Sequence, residues 1–420
     1  MTKQSSGLTV RILIAMVLGL FVGIVLHEYS PAMGNPTKFY AFFVDGLLDW
    51  GGQAFIRTLK MLVVPIVLVS LIVGVSGLGD PKKLGRIGLK TLGLYLITTA
   101  VAITIALTVA TLVGTGAGAD IQAATAYTPK APPALKDVLL NIIPTNPFSS
   151  MAAGNMLQLI FFALFFGVSI SLLPAKQTER LRPILDQIND VVLKMIMLLM
   201  EFAPIGVFCL VTKVFADKGT SMFANLFVYF LCVVAVLAAQ AILVYPGILF
   251  IFARLNPMRL LRKMNAPLAF AFSTASSNAT IPVTLKTVEE GLGVDRSVAG
   301  FTIPLGATIN MDGTAIMQGV ATVFIANAYN IDLGMADFLT VILTATLASV
   351  GTAGVPGAGM IMLAMVLTQV GLPAEGIGII LGVDRLLDMI RTAVNITGDA
   401  VVTCVVAKSE NYLNVDRYNS

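Results

Sequence analysis

The sequence predicts an all-α, polytopic membrane protein. Hydrophobic residues make up 57% of the chain and charged residues 12%, and the mean hydropathy is +0.88. Apolar windows long enough to cross a bilayer as a helix recur along it. A soluble domain with this composition would aggregate, whereas lipid tails solvate apolar side chains. At about 20 residues a span, 420 residues leave room for about eight to ten spans with loops.

The first helix is expected over Ile12–Leu26, after a polar start at Met1–Arg11. With no small-residue cleavage site behind it, it is read as a retained span and not as a signal peptide. Further windows cover Phe55–Gly77, Thr91–Val113, Leu139–Leu173, Val191–Val214 and Phe223–Phe252. Basic clusters follow every second window: Lys82, Lys83, Arg86 and Lys90, then Lys176, Arg180 and Arg182, then Arg254, Arg259, Arg262 and Lys263. The positive-inside rule puts all three in the cytoplasm and the Gly114–Pro133 segment outside.

The residue inventory excludes several functions. The net charge of +4 is scattered and gives no hint of nucleic acid. Cys209, Cys232 and Cys404 all lie in apolar runs and read as small buried hydrophobes. The lone histidine, His27, sits at a span end, so neither a multi-histidine zinc site nor a catalytic triad is expected. Without a histidine or lysine beside them, Ser276 and Ser277 are poor hydrolase nucleophiles.

After Asn265 the pattern changes, because apolar stretches are broken by polar residues and carry carboxylates. One break, Ser276-Ser277-Asn278-Ala279-Thr280-Ile281-Pro282, follows Ala266–Phe272. The other, Ser349-Val350-Gly351-Thr352-Ala353-Gly354-Val355-Pro356, lies between Phe338–Ala348 and Met360–Val370. Flanking arms too short to cross, joined by a Pro-terminated polar tip, read as re-entrant hairpins. Each is followed by a helix with an Asn and an Asp, Asn310 and Asp312 in one case and Asn395 and Asp399 in the other. Paired broken segments in two halves point to a transporter binding site; a flexible loop between spans is the alternative for either break alone.

On the last helix, Asp384, Asp388, Arg391, Asn395 and Asp399 fall within one stripe at about 100° per residue. Each charge at membrane depth costs at least about 2.5 kcal/mol, so the stripe reads as a site, with an ion-pair network that braces the fold as the alternative. Asp384 and Arg385, nearer the helix start, also suit bracing or boundary roles. The fork of Arg391 binds a carboxylate bidentately, and Asp388, about one turn away, accepts from an ammonium. Thr392 and Asn395 add neutral donors, and Ser277 at the first tip would meet a second carboxylate. The set fits an acidic amino acid. Asn310, Asp312, Asn395 and Asp399 offer oxygens to a hard cation such as sodium, the alternative being protonated or helix-capping carboxylates.

These residues resemble the dicarboxylate/amino-acid:cation symporter family, which includes the excitatory amino-acid transporters and their prokaryotic homologues. The likeness spans essentially the whole chain. It is most specific at Ser276-Ser277 with Pro282, at Asn310-Met311-Asp312-Gly313-Thr314, at Ser349–Gly359 and at Asp388–Asp399. The resemblance implies eight membrane helices plus two hairpins with inverted repeats, assembled as a homotrimer in the inner membrane. It implies a scaffold over residues 1–87 (helices 1 and 2) and 136–219 (helices 4 and 5). A mobile, elevator-type transport domain would take residues 88–135 (helix 3 and the extracellular loop) and 220–420, with the second hairpin as extracellular gate. The substrate contacts it implies are Ser276, Ser277, Met311, Thr314, Val355, Gly359, Asp388, Arg391, Thr392 and Asn395. One sodium site would use Gly306, Asn310, Asn395 and Asp399. A second would use Thr308, Ser349, Val350 and Thr352, and a third Tyr95, Thr98, Thr99, Asn310 and Asp312.

Within the family, Asp388 suits an amino group that a C4-dicarboxylate lacks, and Arg391 suits an acidic side chain. The retained Asp399 and the Tyr95-Leu96-Ile97-Thr98-Thr99 run favour sodium over proton coupling. This chain has Ala275 and Met389 where some archaeal and animal members, respectively, place an arginine. The expectation is a sodium-coupled glutamate/aspartate symporter with no organic cofactor. Its rivals are a proton-coupled or C4-dicarboxylate member and, on the same hairpins, a gated ion channel.

Overall fold

The computed structural model describes residues 2–29, 40–76, 84–119, 140, 143–349, 352 and 354–420. Among them nearly every element is helical, and the one β pairing is a bridge between Val294 and Leu413. Lys82, Lys83, Val350 and most of the Gly114–Pro133 segment lie outside the described residues.

The first half holds α1 (Thr2–Tyr29), α2 (Asp49–Ser76, entered through a π-helical stretch at Ala41–Leu48) and α3 (Leu84–Val113). There follow α4 (Pro147–Ala153), α5 (Met156–Ser171), α6 (Ala175–Glu201) and α7 (Ala203–Lys218). Helix α1 packs along α7, where Gly19 and Gly23 let the backbones approach; a Cβ on Gly23 would lie 2.7 Å from the Thr212 carbonyl. Helix α2 packs on α5 and α6.

The second half begins with α8 (Ser221–Ala239), which continues through a π-helical turn (Gln240–Val244) into α9 (Tyr245–Ile248) and a second such turn, Leu249–Ala253. After α10 (Pro257–Lys263) come two ten-residue helices, α11 (Asn265–Thr274) and α12 (Ser277–Lys286). Then follow α13 (Arg296–Ile309), α14 (Asp312–Ala328), α15 (Met335–Ser349), α16 (Ala358–Gln369), α17 (Ile377–Ser409) and α18 (Val415–Asn419). Helix α17 is the axis of this half, touching α8, α11, α13 and α14.

The polarity is inside out. Phe21, Phe42, Trp50, Leu112 and Ile251 are exposed, while Asp312, Arg391 and Asp399 are buried. An outer face of that kind is solvated by lipid. Among the described residues three helices are long and apolar enough to cross a membrane, over Val10–Glu28, Arg86–Val113 and Met222–Ala253. A fourth is added if α6 and α7, bent by 50° to one another, form one span.

Helices α11 and α12 pack on each other, as do α15 and α16. At 1.5 Å per residue the ten-residue arms reach about 15 Å, half of a hydrocarbon core. Three sequence expectations need correction. The first break is confined to Ala275 and Ser276, because Ser276 caps a helix that resumes at Ser277 and carries Pro282 inside it. Asn310 and Met311 are not helical but separate α13 from α14, with ψ angles of 88° and 45°. The Val191–Val214 window is broken at Phe202, and its helix starts earlier, at Ala175, carrying the Lys176–Arg182 charges in its first turns.

Candidate functional site

The two tips touch. Ala275 adopts a left-handed φ of 48°, turning the chain so that Ser276 is extended. The Ser276 hydroxyl accepts from the Ala279 amide at 3.2 Å and donates to the Gly354 carbonyl at 2.6 Å, while the Asn278 amide donates to the same carbonyl at 3.2 Å. Gly354 needs its missing side chain: a Cβ there would lie 2.7 Å from the Ala307 carbonyl. Ser277 is buried beside this contact. Val355 is half-buried and packs on the core.

Behind the tips lies the charged face of α17. The Arg391 guanidinium is fully buried, with Nη1 2.9 Å from Asp384 Oδ1 and Nη2 2.9 Å from Asp388 Oδ1. Arg385 reaches the other oxygen of Asp388 at 3.6 Å. Two carboxylates and two guanidiniums thus neutralise one another within three turns, which lowers the cost of burying each. The Nε of Arg391 is a buried donor with no acceptor. Asp384, which the sequence places on the charged stripe with a bracing or boundary role as the alternative, is a direct partner of Arg391.

Helix α16 closes over this group. The Gly357 amide points at Asp388 Oδ2 from 3.4 Å. A Cβ on Gly359 would sit 3.6 Å from Arg391 Nη2 and 3.1 Å from Thr314 Cγ2, so these three positions converge. Thr392 donates to the carbonyl of Asp388 at 2.8 Å. A cavity of about 30 Å³, the size of a water molecule, is lined by Gly357, Asp384, Arg385 and Asp388 together with apolar residues such as Ile12, Phe55 and Leu59.

A second polar cluster lies at the break between α13 and α14. Asn395 knits it to α17: its Oδ1 accepts from the Gly313 amide at 2.7 Å and its Nδ2 faces Met311 Sδ at 3.2 Å. Asn310 Nδ2 donates to the Asn395 carbonyl at 3.0 Å and to Asp399 Oδ1 at 2.8 Å. Its own Oδ1 is a buried acceptor with no donor, an oxygen of the kind that ligates a hard cation. Gly306 provides the opening, since a Cβ there would fall 2.4 Å from Asp399 Oδ1 and 2.6 Å from the Tyr95 hydroxyl.

Asp312 is surrounded by donors. Its Oδ1 accepts from Thr99 at 2.6 Å and Thr98 at 3.4 Å, and its Oδ2 from Tyr245 at 2.9 Å and Gln240 at 3.1 Å. Gln240 and Tyr245 were missed from the sequence. Gln240 is one of two amide side chains in the Phe223–Phe252 window, with Asn225 near its start, a signal of the kind that intramembrane polar residues give.

The remaining set is looser. Ser349 and Thr352 are buried and donate to Thr346 and Ala348 carbonyls in their own segment, and half-buried Thr308 donates to Pro304. Gly354, against the Ala307 carbonyl, brings this tip beside Thr308. Val350 lies outside the described residues.

Comparison with known proteins extends over the same chain. The family model described as the sodium:dicarboxylate symporter family matches residues 8–409. A relative from Escherichia coli (strain K12), named proton/glutamate-aspartate symporter, is 37% identical over 96% of this chain and 92% of its own length. The proton/sodium-glutamate symport protein of Bacillus caldotenax is 33% identical over 98% of this chain and 96% of its own. The C4-dicarboxylate transport protein of Rhodospirillum rubrum is 34% identical over 98% and 90%, respectively.

Proposed function

Because this chain belongs to the sodium:dicarboxylate symporter family, we propose that it carries L-glutamate and L-aspartate into the cell together with sodium, across the inner membrane. The observation that carries this reading is the buried Asp384–Arg391–Asp388 group, whose Arg391 Nε is a donor with no acceptor, under the glycine-rich start of α16.

In this reading the substrate's side-chain carboxylate takes the place of Asp388 on Arg391, and the freed Asp388 accepts the substrate ammonium. Asp384 keeps the guanidinium paired throughout. Ser276, Ser277, Met311, Thr314, Val355, Gly359, Thr392 and Asn395 complete the site. An exchange of partners suits selectivity, because a ligand lacking either charge leaves a buried ion unpaired. Sodium bound as co-substrate at Asn310 and Asp399, with Gly306 and Asn395, holds the α13–α14 break and so sets Met311 against Asn395. Thr308, Ser349, Val350 and Thr352 form the second sodium site, and Tyr95, Thr98, Thr99, Asn310 and Asp312 the third.

The wider architecture belongs to the same proposal: eight spans, two re-entrant hairpins and a homotrimer. A scaffold (1–87, 136–219) holds a transport domain (88–135, 220–420) that slides with its cargo while the second hairpin gates the outside. Membrane lipids surround the assembly.

A second reading, proton coupling or C4-dicarboxylate transport, is favoured by the names of the Escherichia coli and Rhodospirillum rubrum relatives. Labelled aspartate uptake into proteoliposomes separates the readings. The proposal expects uptake under an imposed sodium gradient and weak competition by succinate. Uptake driven by a proton gradient alone would replace the coupling ion, and equal competition by succinate would replace the substrate.

A further inference from the structure

Asp312 is held from two chemically different sides, and the difference indicates how it handles its cation. Thr98 and Thr99, donors to Oδ1, have a second acceptor within reach, the Tyr95 carbonyl, at 3.0 and 2.8 Å. A hydroxyl has a single hydrogen and two lone pairs. Each threonine can therefore turn its hydrogen to Tyr95 and present lone pairs, together with Oδ1, to an arriving cation.

The Oδ2 side is held by donors. The Gln240 amide nitrogen is a donor only and repels a cation, its Oε1 is a buried acceptor with no donor, and the Tyr245 hydroxyl donates to the same carboxylate oxygen as the amide nitrogen. Both residues are buried, at 1% and 0% exposure. Five positions apart on a regular α-helix, they would point about 140° away from each other. The π-helical turn corrects this: the Tyr245 amide bonds to the Gln240 carbonyl, an i→i+5 link that stacks one residue over the other. Pro246 follows directly and disfavours the regular turn before it. Gly398 then makes room for the tyrosine, since a Cβ there would lie 2.5 Å from its hydroxyl oxygen.

We infer that Gln240 and Tyr245, aligned by this turn, are positioning residues that pin Oδ2 of Asp312 and so present Oδ1, with Thr98 and Thr99, to the coupling cation. The inference rests on the sodium-coupled reading above and extends it to a helix that none of the expected cation ligands occupies. Its consequence is that cation affinity depends on an amide nitrogen and a hydroxyl that donate to the ligating carboxylate and do not themselves ligate the ion.

The test is aspartate binding to the purified full-length protein as a function of sodium concentration, for wild type, Tyr245→Phe and Gln240→Leu. Tyr245→Phe removes one oxygen and preserves the ring, which guards against misfolding. The expected result is a rise of about fivefold or more in the sodium concentration for half-maximal binding, with aspartate affinity at saturating sodium unchanged within about twofold. A merely structural role would lower maximal uptake or thermal stability and leave the sodium midpoint in place. A sodium-dependent wild type whose variants keep its midpoint would overturn this inference alone. A wild type whose aspartate affinity ignores sodium would overturn the sodium reading and this assignment together.

Discussion

The Ser276 hydroxyl donates to the Gly354 carbonyl at 2.6 Å, tying the tip of one helical hairpin to the tip of the other. That bond, with the Asn278 amide beside it, is a side-chain contact made across the seam where the proposed gate closes.

Ser276→Ala should therefore loosen the second tip without disturbing α17. Hydrogen exchange at residues 354–360 should quicken, and aspartate affinity should fall by about three- to tenfold, the worth of one net hydrogen bond. Unaltered exchange would mean that the tips are held together by other contacts.

Gly306→Ala places a methyl group on two atoms at once, 2.4 Å from Asp399 Oδ1 and 2.6 Å from the Tyr95 hydroxyl. Overpacking of this kind costs about 1–3 kcal/mol. The melting temperature should drop, and the sodium midpoint for substrate binding should rise. A variant that melted lower but kept its sodium midpoint would separate the glycine from the cation site.

Asp384→Asn removes one of the two carboxylates on Arg391. Breaking a buried pair costs about 3–5 kcal/mol, and the low end is expected because Asp388 remains. Thermal unfolding in detergent measures it, and an unchanged transition would contradict the pairing.

Outside the membrane-spanning segments, Glu410 accepts from Lys90 and Arg86, and these bonds hold its carboxyl below the ordinary value of 4.5. A lowered folded pKa means that its stabilisation is present above that value and disappears as pH falls through the folded pKa. The melting-temperature difference between wild type and Glu410→Gln should thus be constant from neutral to mildly acidic pH and vanish in stronger acid. A difference that changed around neutrality would point to another group.

Much of this was legible in the sequence, for identifiable reasons. Composition sets the solvent, and the spacing of Asp384, Asp388, Arg391, Asn395 and Asp399 sets a common helix face before any packing is known. The second tip was marked by glycine and proline, and its arms are helical on either side, from Met335 to Ser349 and from Ala358. The first tip was overdrawn, because Pro282 looks like a terminator although a helix capped by Ser276 carries it inside. Partner choice was harder to read. A stripe shows that Arg391 shares a face with two carboxylates, but only side-chain packing decides that it holds both. The π-helical turn leaves no mark in the apolar periodicity, and on a regular helix Gln240 and Tyr245 would face different ways.

In the proposed mechanism Arg391 reads the acidic side chain of the substrate. The decisive comparison is labelled aspartate binding at saturating sodium by Arg391→Ala and by wild type. The expected result is loss of aspartate binding from a protein that still folds and elutes as wild type does. Aspartate affinity unchanged in that variant would contradict it.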